Sequence, residues 1–266
     1  MSGGLVAGIA FLCLSASSPG AEPVPLIHVH AHNDYEHKRP LLDALDQGFC
    51  SVEADIYLVD GQLLVAHDRK DVKPERTLEA LYLDPIRDRV RANGGRLFAG
   101  GPPAILLIDI KTQGADTYAR LRDVLAKYRE MLSVFHESEI TTNAITVILS
   151  GERPFEMLSA EKDRLAGLDG RMSDLDRSPA YSASLVPLVS DNWRSRFTWD
   201  GLGEIPADQK AKLKALVAKA HAQNRRIRFW NAADRVGMWK AQQEAGVDMI
   251  NTDRLADLAK FLNETP

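Results

Sequence analysis

Cysteine is scarce in this chain. Two occur among 266 residues, Cys13 and Cys50, and the first falls within an apolar block near the start. If that block is removed as an export signal, Cys50 is left alone. A single cysteine excludes an intrachain disulfide framework and a cysteine-rich metal site. A metal centre in this protein therefore has to use oxygen or imidazole ligands.

The chain also lacks a strong excess of charge and a long apolar run. Its formal net charge is −4, which gives no support for a nucleic-acid partner. The apolar block at residues 5–14 is too short for a membrane-spanning helix, which needs roughly 20 residues. With 45% hydrophobic and 26% charged residues, the composition is that of a globular protein with a sizeable core. The densest basic cluster, Arg225, Arg226 and Arg228, is interpreted as a solvated helix end that leads into a strand.

Residues 1–21 are predicted to be an export signal. Small residues follow the apolar block, and Ser18-x-Gly20 fits a cleavage site. Ala16-x-Ser18 also fits, but it places Pro19 directly after the cut. No lysine or arginine precedes the block, so a disordered or helical N-terminal extension is the alternative. On the first interpretation the mature protein, residues 22–266, is periplasmic or secreted.

Short apolar runs that suit buried parallel strands alternate with helical patterns along the chain. The strand candidates are residues 26–34, 51–58, 104–111, 144–150, 165–169, 184–190, 227–231 and 247–251. The helix candidates are residues 40–47, 77–93, 115–133, 154–160, 207–223, 236–245 and those from 255 onward. Eight strands that mostly alternate with helices over this length predict a single-domain α/β protein with the (β/α)8 TIM-barrel fold.

An acidic pair lies within the second strand candidate. Glu53 and Asp55 are two residues apart in an apolar, β-branched run, so a strand places both carboxylates on one face. With roughly 3.3 Å of rise per residue, the pair is about 6.6 Å apart, close enough to hold one cation. Taken alone, an acidic pair in a strand is more often an exposed polar edge than a pair of ligands.

Asp60-Gly61, between alternating apolar residues, predicts a hairpin turn after this strand. A two-residue turn pairs Ala54 with His67 and puts His67 on the opposite face from the acidic pair. A three-residue loop with a left-handed Gly61 pairs Glu53 with His67 instead. We expect the three-residue loop, because it brings His67 level with the two carboxylates.

Polar side chains collect where the predicted strands end, which in a TIM barrel is the catalytic face. Three carboxylates without a nearby cysteine, those of Glu53, Asp55 and Asp109, favour Mg²⁺ or Ca²⁺ over zinc. Two histidines at strand ends, His32 and His67, suit general acid–base catalysis near neutral pH.

Lys111 is two residues beyond Asp109 and shares its strand face. It supplies a positive charge suited to a phosphate, although the two side chains can also form a simple ion pair. A metal, a lysine and a pair of histidines together indicate phosphoester chemistry.

Several motifs resemble the glycerophosphodiester phosphodiesterase-like superfamily, whose members are TIM-barrel phosphodiesterases of the phospholipase C type. The run His30-x-His32-Asn33-Asp34-Tyr35, with Arg39-Pro40-Leu41 behind it, is most similar to the altered-inheritance-of-mitochondria branch. The motifs that carry the resemblance are Ala31-His32-Asn33-Asp34, Glu53-x-Asp55, Asp60-Gly61, His67-Asp68, Asp109-x-Lys111 and Gly246-Val-Asp-x-Ile-Asn-Thr-Asp253.

The resemblance implies a role for each matching residue. It makes His32 and His67 the acid–base pair, and Glu53, Asp55 and Asp109 the ligands of a divalent cation. It places Asn33, Lys111 and Trp230 in the substrate-binding set. The main branch has Arg-Gly after the first histidine, where this chain has Asn33-Asp34, and the Glu-Asn-Thr motif that usually follows is absent. The phosphate site therefore has one cationic side chain fewer than in the main branch, and the resemblance does not specify the alcohol groups of the substrate.

The function expected from the residues and the resemblance together is metal-dependent hydrolysis of a small or lipid-derived phosphodiester. One alternative is a zinc hydrolase built on His28-x-His30-x-His32, since alternate strand residues place imidazoles on one face. Another is a barrel that binds a phosphorylated or sugar ligand without turnover.

Overall fold

Eight parallel strands close into a barrel in the computed structural model, which describes residues 22–264. The predicted export signal, residues 1–21, lies outside the described residues. The strands are β1 Val29–Ala31, β2 Ser51–Val59, β3 Gln62–Val65, β4 Ala104–Ile110, β5 Val134–Phe135, β6 Ile140–Thr141, β7 Ile145–Gly151, β8 Gly167–Arg171, β9 Leu188–Asn192, β10 Arg226–Trp230 and β11 Met249–Thr252.

The barrel order is β1, β2, β4, β7, β8, β9, β10 and β11, and it closes because β1 pairs with both β11 and β2. β3 lies outside the circle as the antiparallel partner of β2. The predicted single-domain TIM barrel is confirmed. In this order β8 lies four strands from β1 in either direction, so the ends of these two strands face each other across the mouth.

The helices cover the outside of the barrel. They are α1 Leu42–Asp46, α2 Asp84–Ala92, α3 Gly114–Ala126, α4 Phe155–Ala160, α5 Trp193–Arg196, α6 Ala207–His221, α7 Val236–Ala245 and α8 Leu255–Glu264. Within residues 22–264, no helix combines the length and the apolar character that crossing a bilayer requires. The small hairpin β5–β6 and the four-residue α5 were not predicted, because segments this short show no periodicity.

Strand alternation divides the side chains into two apolar layers. Even-numbered residues of β4, such as Leu106 and Ile108, pack outward into the large core beneath the helices. Odd-numbered residues, Ile105 and Leu107, join Ile148, Leu188 and Met249 in a separate buried cluster. This second cluster fills the N-terminal half of the barrel interior. The same alternation then points the next odd-numbered residue, Asp109, into the C-terminal mouth.

The hairpin after β2 differs from the prediction. Ile56 pairs with Val65 and Val59 with Gln62, which leaves Asp60 and Gly61 as a two-residue turn. Their φ angles of 48° and 75° are those of a type I′ turn. The predicted three-residue loop, and the pairing of Glu53 with His67 that it required, are wrong.

His67 nevertheless reaches the acidic residues. β3 ends at Val65, and the amide of Ala66 still donates to the carbonyl of Asp55 at 3.2 Å. His67 therefore follows the paired region, where strict alternation no longer fixes the direction of a side chain. Its ring turns back to lie 3.3 Å from the Asp55 carboxylate.

The turn gives a test of this register. In Gly61→Ala we expect a loss of about 1–2 kcal/mol in the free energy of unfolding, the cost of a left-handed conformation for a residue with a Cβ. Space is not the obstacle, because nothing lies within 4 Å of an added Cβ. Urea denaturation measures the change. Asp60→Asn is the matched control, since asparagine tolerates positive φ; a Gly61→Ala protein as stable as this control would contradict the turn geometry.

Candidate active site

A cavity of about 270 Å³ opens at the C-terminal ends of the barrel strands. Every residue predicted for the site lines this cavity. These residues are His32, Asn33, Glu53, Asp55, His67, Asp109, Lys111 and Trp230. Four further residues that were not predicted complete the wall: Ser150, Gly151, Arg171 and Arg228. A larger cavity, of about 400 Å³, lies at the opposite end, but among the described residues Glu139 is the one carboxylate that lines it, and no described histidine does.

The three carboxylates form a compact oxygen cluster. Strand register places Asp55 directly beside Asp109, while Glu53 lies one layer deeper on the same face. One oxygen from each lies within 4.8 Å of the other two. Within residues 22–264 this is the one group of three or more acidic, histidine or cysteine side chains with such spacing. Gly151 makes room for it, because an added Cβ would meet Asp109 Oδ1 at 2.1 Å.

The cluster fits a hard divalent cation. Burial and the neighbouring Glu53 raise the pKa of Asp55, and burial raises the pKa of Asp109 to about 6. Both carboxylates are thus held where their charge is poorly solvated. Asp55 Oδ1 is buried without a hydrogen-bond partner in the described part of the chain. Oxygen ligands of this kind, with unsatisfied charge and without sulfur, suit Mg²⁺ or Ca²⁺.

Glu53 differs from the other two because a cation lies beneath it. Burial alone would raise the pKa of Glu53, but the charge of Arg228, the hydrogen bond with His30 and the charges of His32 and His30 together outweigh it and lower the pKa. Arg228 Nη1 lies 3.3 Å from Glu53 Oε2, and both side chains are almost fully buried. Arg228 Nη1 is also 2.7 Å from His30 Nε2, and Arg228 Nε donates to Ser190 Oγ at 3.2 Å.

His30 belongs to this supporting layer. Burial, followed by the Arg228 charge, lowers the pKa of His30 to about 4, so its ring is neutral at physiological pH. His30 Nε2 lies 2.7 Å from Arg228 Nη1 and 3.1 Å from Glu53 Oε2, and its Nδ1 lies 2.8 Å from Ser51 Oγ.

Arg228 was missed because its basic cluster was interpreted as solvated. The structure contradicts that interpretation for two of the three residues, since Arg225 is 2% exposed and Arg228 is 3% exposed. Strand alternation could have identified Arg228. Arg228 and Trp230 share a strand face, so a Trp230 that points into the barrel implies that Arg228 does so too.

The three-histidine zinc site finds no support. His28 is exposed at the far end of β1, and His30 uses both ring nitrogens in the supporting layer. His32 pairs with Asp253. These three residues do not form a metal-binding group in the described residues.

Lys111 bridges two of the carboxylates. Its Nζ lies 2.7 Å from Asp55 Oδ2 and 3.6 Å from Asp109 Oδ2. Burial would lower the pKa of Lys111, but the charges of Asp55 and Asp109 outweigh it and raise the pKa. Lys111 therefore stays cationic and about a quarter exposed toward the cavity.

His32 is paired with an acid that was not predicted as a site residue. Its Nδ1 lies 2.7 Å from Asp253 Oδ1, beyond the end of β11. Burial would lower the pKa of His32, but the hydrogen bond to Asp253 and the charge of Glu53 outweigh it and raise the pKa. This arrangement favours the protonated ring and uses Nδ1, which leaves Nε2 for a ligand.

His67 lies at the rim with about half of its side chain exposed. Its Nδ1 is 3.0 Å from the Tyr35 hydroxyl oxygen, and its backbone carbonyl accepts from the Tyr57 hydroxyl at 3.0 Å. Trp230 is also at the rim and 40% exposed. Asn33, whose φ is 48°, places Oδ1 2.7 Å from the Tyr35 hydroxyl oxygen.

A third cationic side chain enters the cavity from the wall opposite His32. Arg171 ends β8 and is about 40% exposed. Its guanidinium makes only long contacts, at 3.2–3.5 Å, with carbonyl oxygens of its own strand and with Asp169 Oδ2. Asp169 is buried and also accepts from Ser150 Oγ at 2.9 Å. Neither alternation nor a motif identified Arg171, because the sequence of β8 shows only a weak strand pattern.

Comparison with known proteins agrees with the geometry. Residues 21–96 and 97–166, more than half of the chain, match a family model described as an AIM6-like phosphodiesterase domain. Altered inheritance of mitochondria protein 6 from Eremothecium gossypii is 27% identical, and the match covers 93% of this chain and 72% of the relative. A homologue from Arthroderma benhamiae is 26% identical over 88% of this chain and 82% of the relative.

Two solved structures share the fold. A glycerophosphodiester phosphodiesterase from Agrobacterium tumefaciens has a TM-score of 0.55 at 15% identity, covering 90% of this chain and 100% of that one. Another from Parabacteroides distasonis has a TM-score of 0.52 at 14% identity, covering 89% and 96%. At these identities the similarity establishes the barrel and not the activity.

The oxygen cluster predicts how cation binding responds to mutation. Asp109→Asn removes one of three charges from the cluster, so we expect the affinity for Mg²⁺ and Ca²⁺ to fall at least tenfold, as measured by isothermal titration calorimetry. Asp68→Asn is the matched control, because Asp68 is exposed and follows His67 without lining the cavity. Equal affinities in the two variants would exclude the cluster as the cation site.

Proposed function

The chain belongs to the family of AIM6-like phosphodiesterase domains, and from that premise we propose that it is a metal-dependent phosphoric diester hydrolase. The proposed substrate is a small or lipid-derived phosphodiester, of the glycerophosphodiester kind or related to it. One observation carries the proposal. Three carboxylates, three cationic side chains and two histidines share one cavity at the mouth of the barrel.

Glu53, Asp55 and Asp109 would hold the cation, which is Mg²⁺ or Ca²⁺. When bound, it supplies a Lewis acid that draws charge from a phosphoryl oxygen. The buried oxygen of Asp55 without a partner, and the raised pKa of both Asp55 and Asp109, support this assignment.

Lys111 and Arg171 are proposed to bind the phosphate from opposite sides. The family's main branch has an arginine where this chain has Asn33, so the β1 side lacks that guanidinium. Arg171, at the end of the strand opposite β1, brings one to the same cavity. Its long contacts leave the guanidinium able to form short bonds to phosphate oxygens, which it recognises in bidentate fashion. Asn33 and Trp230 complete the substrate-binding set.

The two histidines are proposed to move protons. His67 takes a proton from the attacking oxygen, which belongs to water or to a hydroxyl of the substrate itself, as this oxygen bonds to phosphorus. His32, held protonated by Asp253, gives its proton to the leaving oxygen as the other phosphorus–oxygen bond breaks. A general acid or base typically contributes about 10²–10⁴-fold to the rate, roughly 3–5 kcal/mol.

Hydrolysis of a panel of phosphodiesters, with Mg²⁺ or Ca²⁺ and then with EDTA, tests the function. We expect turnover of at least one diester that the chelator abolishes and added cation restores. His32→Ala and His67→Ala should each remove most of it, and the double variant should lose little more, because paired catalytic groups act as a unit. Binding of a diester without turnover would support a ligand-binding barrel, and full activity in EDTA would exclude the metal.

The two cations can be separated by mutation. In Arg171→Met we expect kcat/KM to fall about ten- to a hundredfold, the loss of one hydrogen bond to a charged group at roughly 1.5–3 kcal/mol. Lys111→Met should lower kcat sharply while Mg²⁺ affinity is largely kept. Arg194→Met is the control, since Arg194 is exposed and lies outside the cavity. If Arg171→Met behaves as this control does, Arg171 does not bind the phosphate.

A further inference from the structure

The Tyr35 hydroxyl lies among three polar groups. Its oxygen is 2.6 Å from Asp55 Oδ2, 2.7 Å from Asn33 Oδ1 and 3.0 Å from His67 Nδ1. A phenol has one proton to donate and two lone pairs that can accept. The three contacts can therefore all be hydrogen bonds in one way only, with Tyr35 donating once and accepting twice.

The carboxylate must receive the proton. Two oxygens 2.6 Å apart repel each other unless a hydrogen lies between them, and a charged acceptor forms the stronger bond. Lys111 Nζ also donates to Asp55 Oδ2, at 2.7 Å, so this oxygen acts as an acceptor and not as a donor. The Tyr35 proton is thereby committed to Asp55.

The other two neighbours then have to donate to Tyr35. For His67 this means a proton on Nδ1. For Asn33 it means that the amide nitrogen, and not the oxygen, faces the phenol, an assignment that only the hydrogen-bond network can make. With both changes, every contact of the Tyr35 hydroxyl is satisfied.

We infer that Tyr35 is a positioning residue that fixes His67 in the Nδ1–H tautomer and so leaves the Nε2 lone pair free to accept a proton. The use of that lone pair as the general base rests on the proposed function. The tautomer itself rests on the proton count around Tyr35, and Asp55 Oδ2, 3.3 Å from His67 Nδ1, favours the same tautomer.

Tyr35 is built to hold an exposed partner. Its own side chain is only 3% exposed, and its backbone carbonyl accepts from Arg76 Nη2 at 2.6 Å. The Asp34 carboxylate fixes the same turn, accepting from the Leu41 amide and from the Tyr82 hydroxyl. The Tyr35 ring is nearly parallel to that of His67, with an interplanar angle of 18°. A histidine half open to solvent thus gains a fixed orientation from a buried phenol.

Long-range ¹⁵N–¹H correlation spectra test the tautomer. They are recorded on the full chain with Mg²⁺ present, at about pH 8.5, where an ordinary histidine is neutral. His67→Gln identifies the His67 signals among the seven histidines. We expect His67 to show a protonated Nδ1 and an unprotonated Nε2. A protonated Nε2 in the wild-type protein overturns the inference, whatever any variant does.

Tyr35→Phe should release the tautomer. We expect a mixture of the two forms at His67 and, on a diester that the wild type hydrolyses, a kcat at least tenfold lower with KM and Mg²⁺ affinity little changed. Tyr57→Phe is the matched control. It removes the hydroxyl that binds the backbone carbonyl of the same histidine, so the Nδ1–H form should persist. A Tyr35→Phe protein that keeps both the wild-type tautomer and the wild-type kcat would also overturn the inference.

The two proposals fail separately. If His67 is in the Nδ1–H form but no diester is hydrolysed, the proposed function is wrong and the role of Tyr35 in setting the tautomer stands. If a diester is hydrolysed with EDTA-sensitive kinetics while His67 carries its proton on Nε2, the function stands and the role of Tyr35 is wrong.

Discussion

The site depends on the burial of negative charge on two adjacent strands. The register between β2 and β4 places Asp55 beside Asp109, with Glu53 one layer deeper. Like charges so close together, and shielded from water, oppose folding unless cations compensate. Arg228 neutralises Glu53 from below, and Lys111 bridges the upper pair. Among the described residues, Arg228 and Lys111 are the two lysine or arginine side chains that contact the three carboxylates, and the negative charge that they leave is what a divalent cation can bind.

The same architecture separates support from chemistry. Beneath the carboxylates, His30, Ser51 and Ser190 position Arg228, and none of these three residues lines the cavity. Around the rim, each histidine is held through Nδ1 by a different partner, His32 by Asp253 and His67 by Tyr35. The two histidines therefore differ in their surroundings: His32 Nδ1 faces a carboxylate, whereas His67 Nδ1 lies 3.0 Å from a phenol oxygen and 3.3 Å from Asp55 Oδ2.

Much of the fold could be predicted from the sequence, because barrel strands are apolar runs and their ends are polar. The acidic cluster was predictable for the same reason: strand alternation fixes the face of Glu53, Asp55 and Asp109. The turn at Gly61 was predicted wrongly. The three-residue loop was chosen because it brings His67 level with the carboxylates, but strand alternation does not fix the direction of a side chain beyond the end of β3. Arg171 and the Tyr35 contacts were missed because each depends on distant strands meeting, which local periodicity does not report, whereas Arg228 was missed although alternation places it on the same face as Trp230. The roles of the site residues stay predictions.

One apolar layer limits how molecules reach and leave the site. It is formed by Ile105, Leu107, Ile148, Leu188 and Met249. It is buried throughout and separates the cavity at the mouth from the one at the opposite end of the barrel. The site is therefore a cavity that is closed at its inner end and open at the mouth of the barrel. On the proposed function, the alcohol and the phosphate formed from a diester would both have to leave through the opening by which the diester entered.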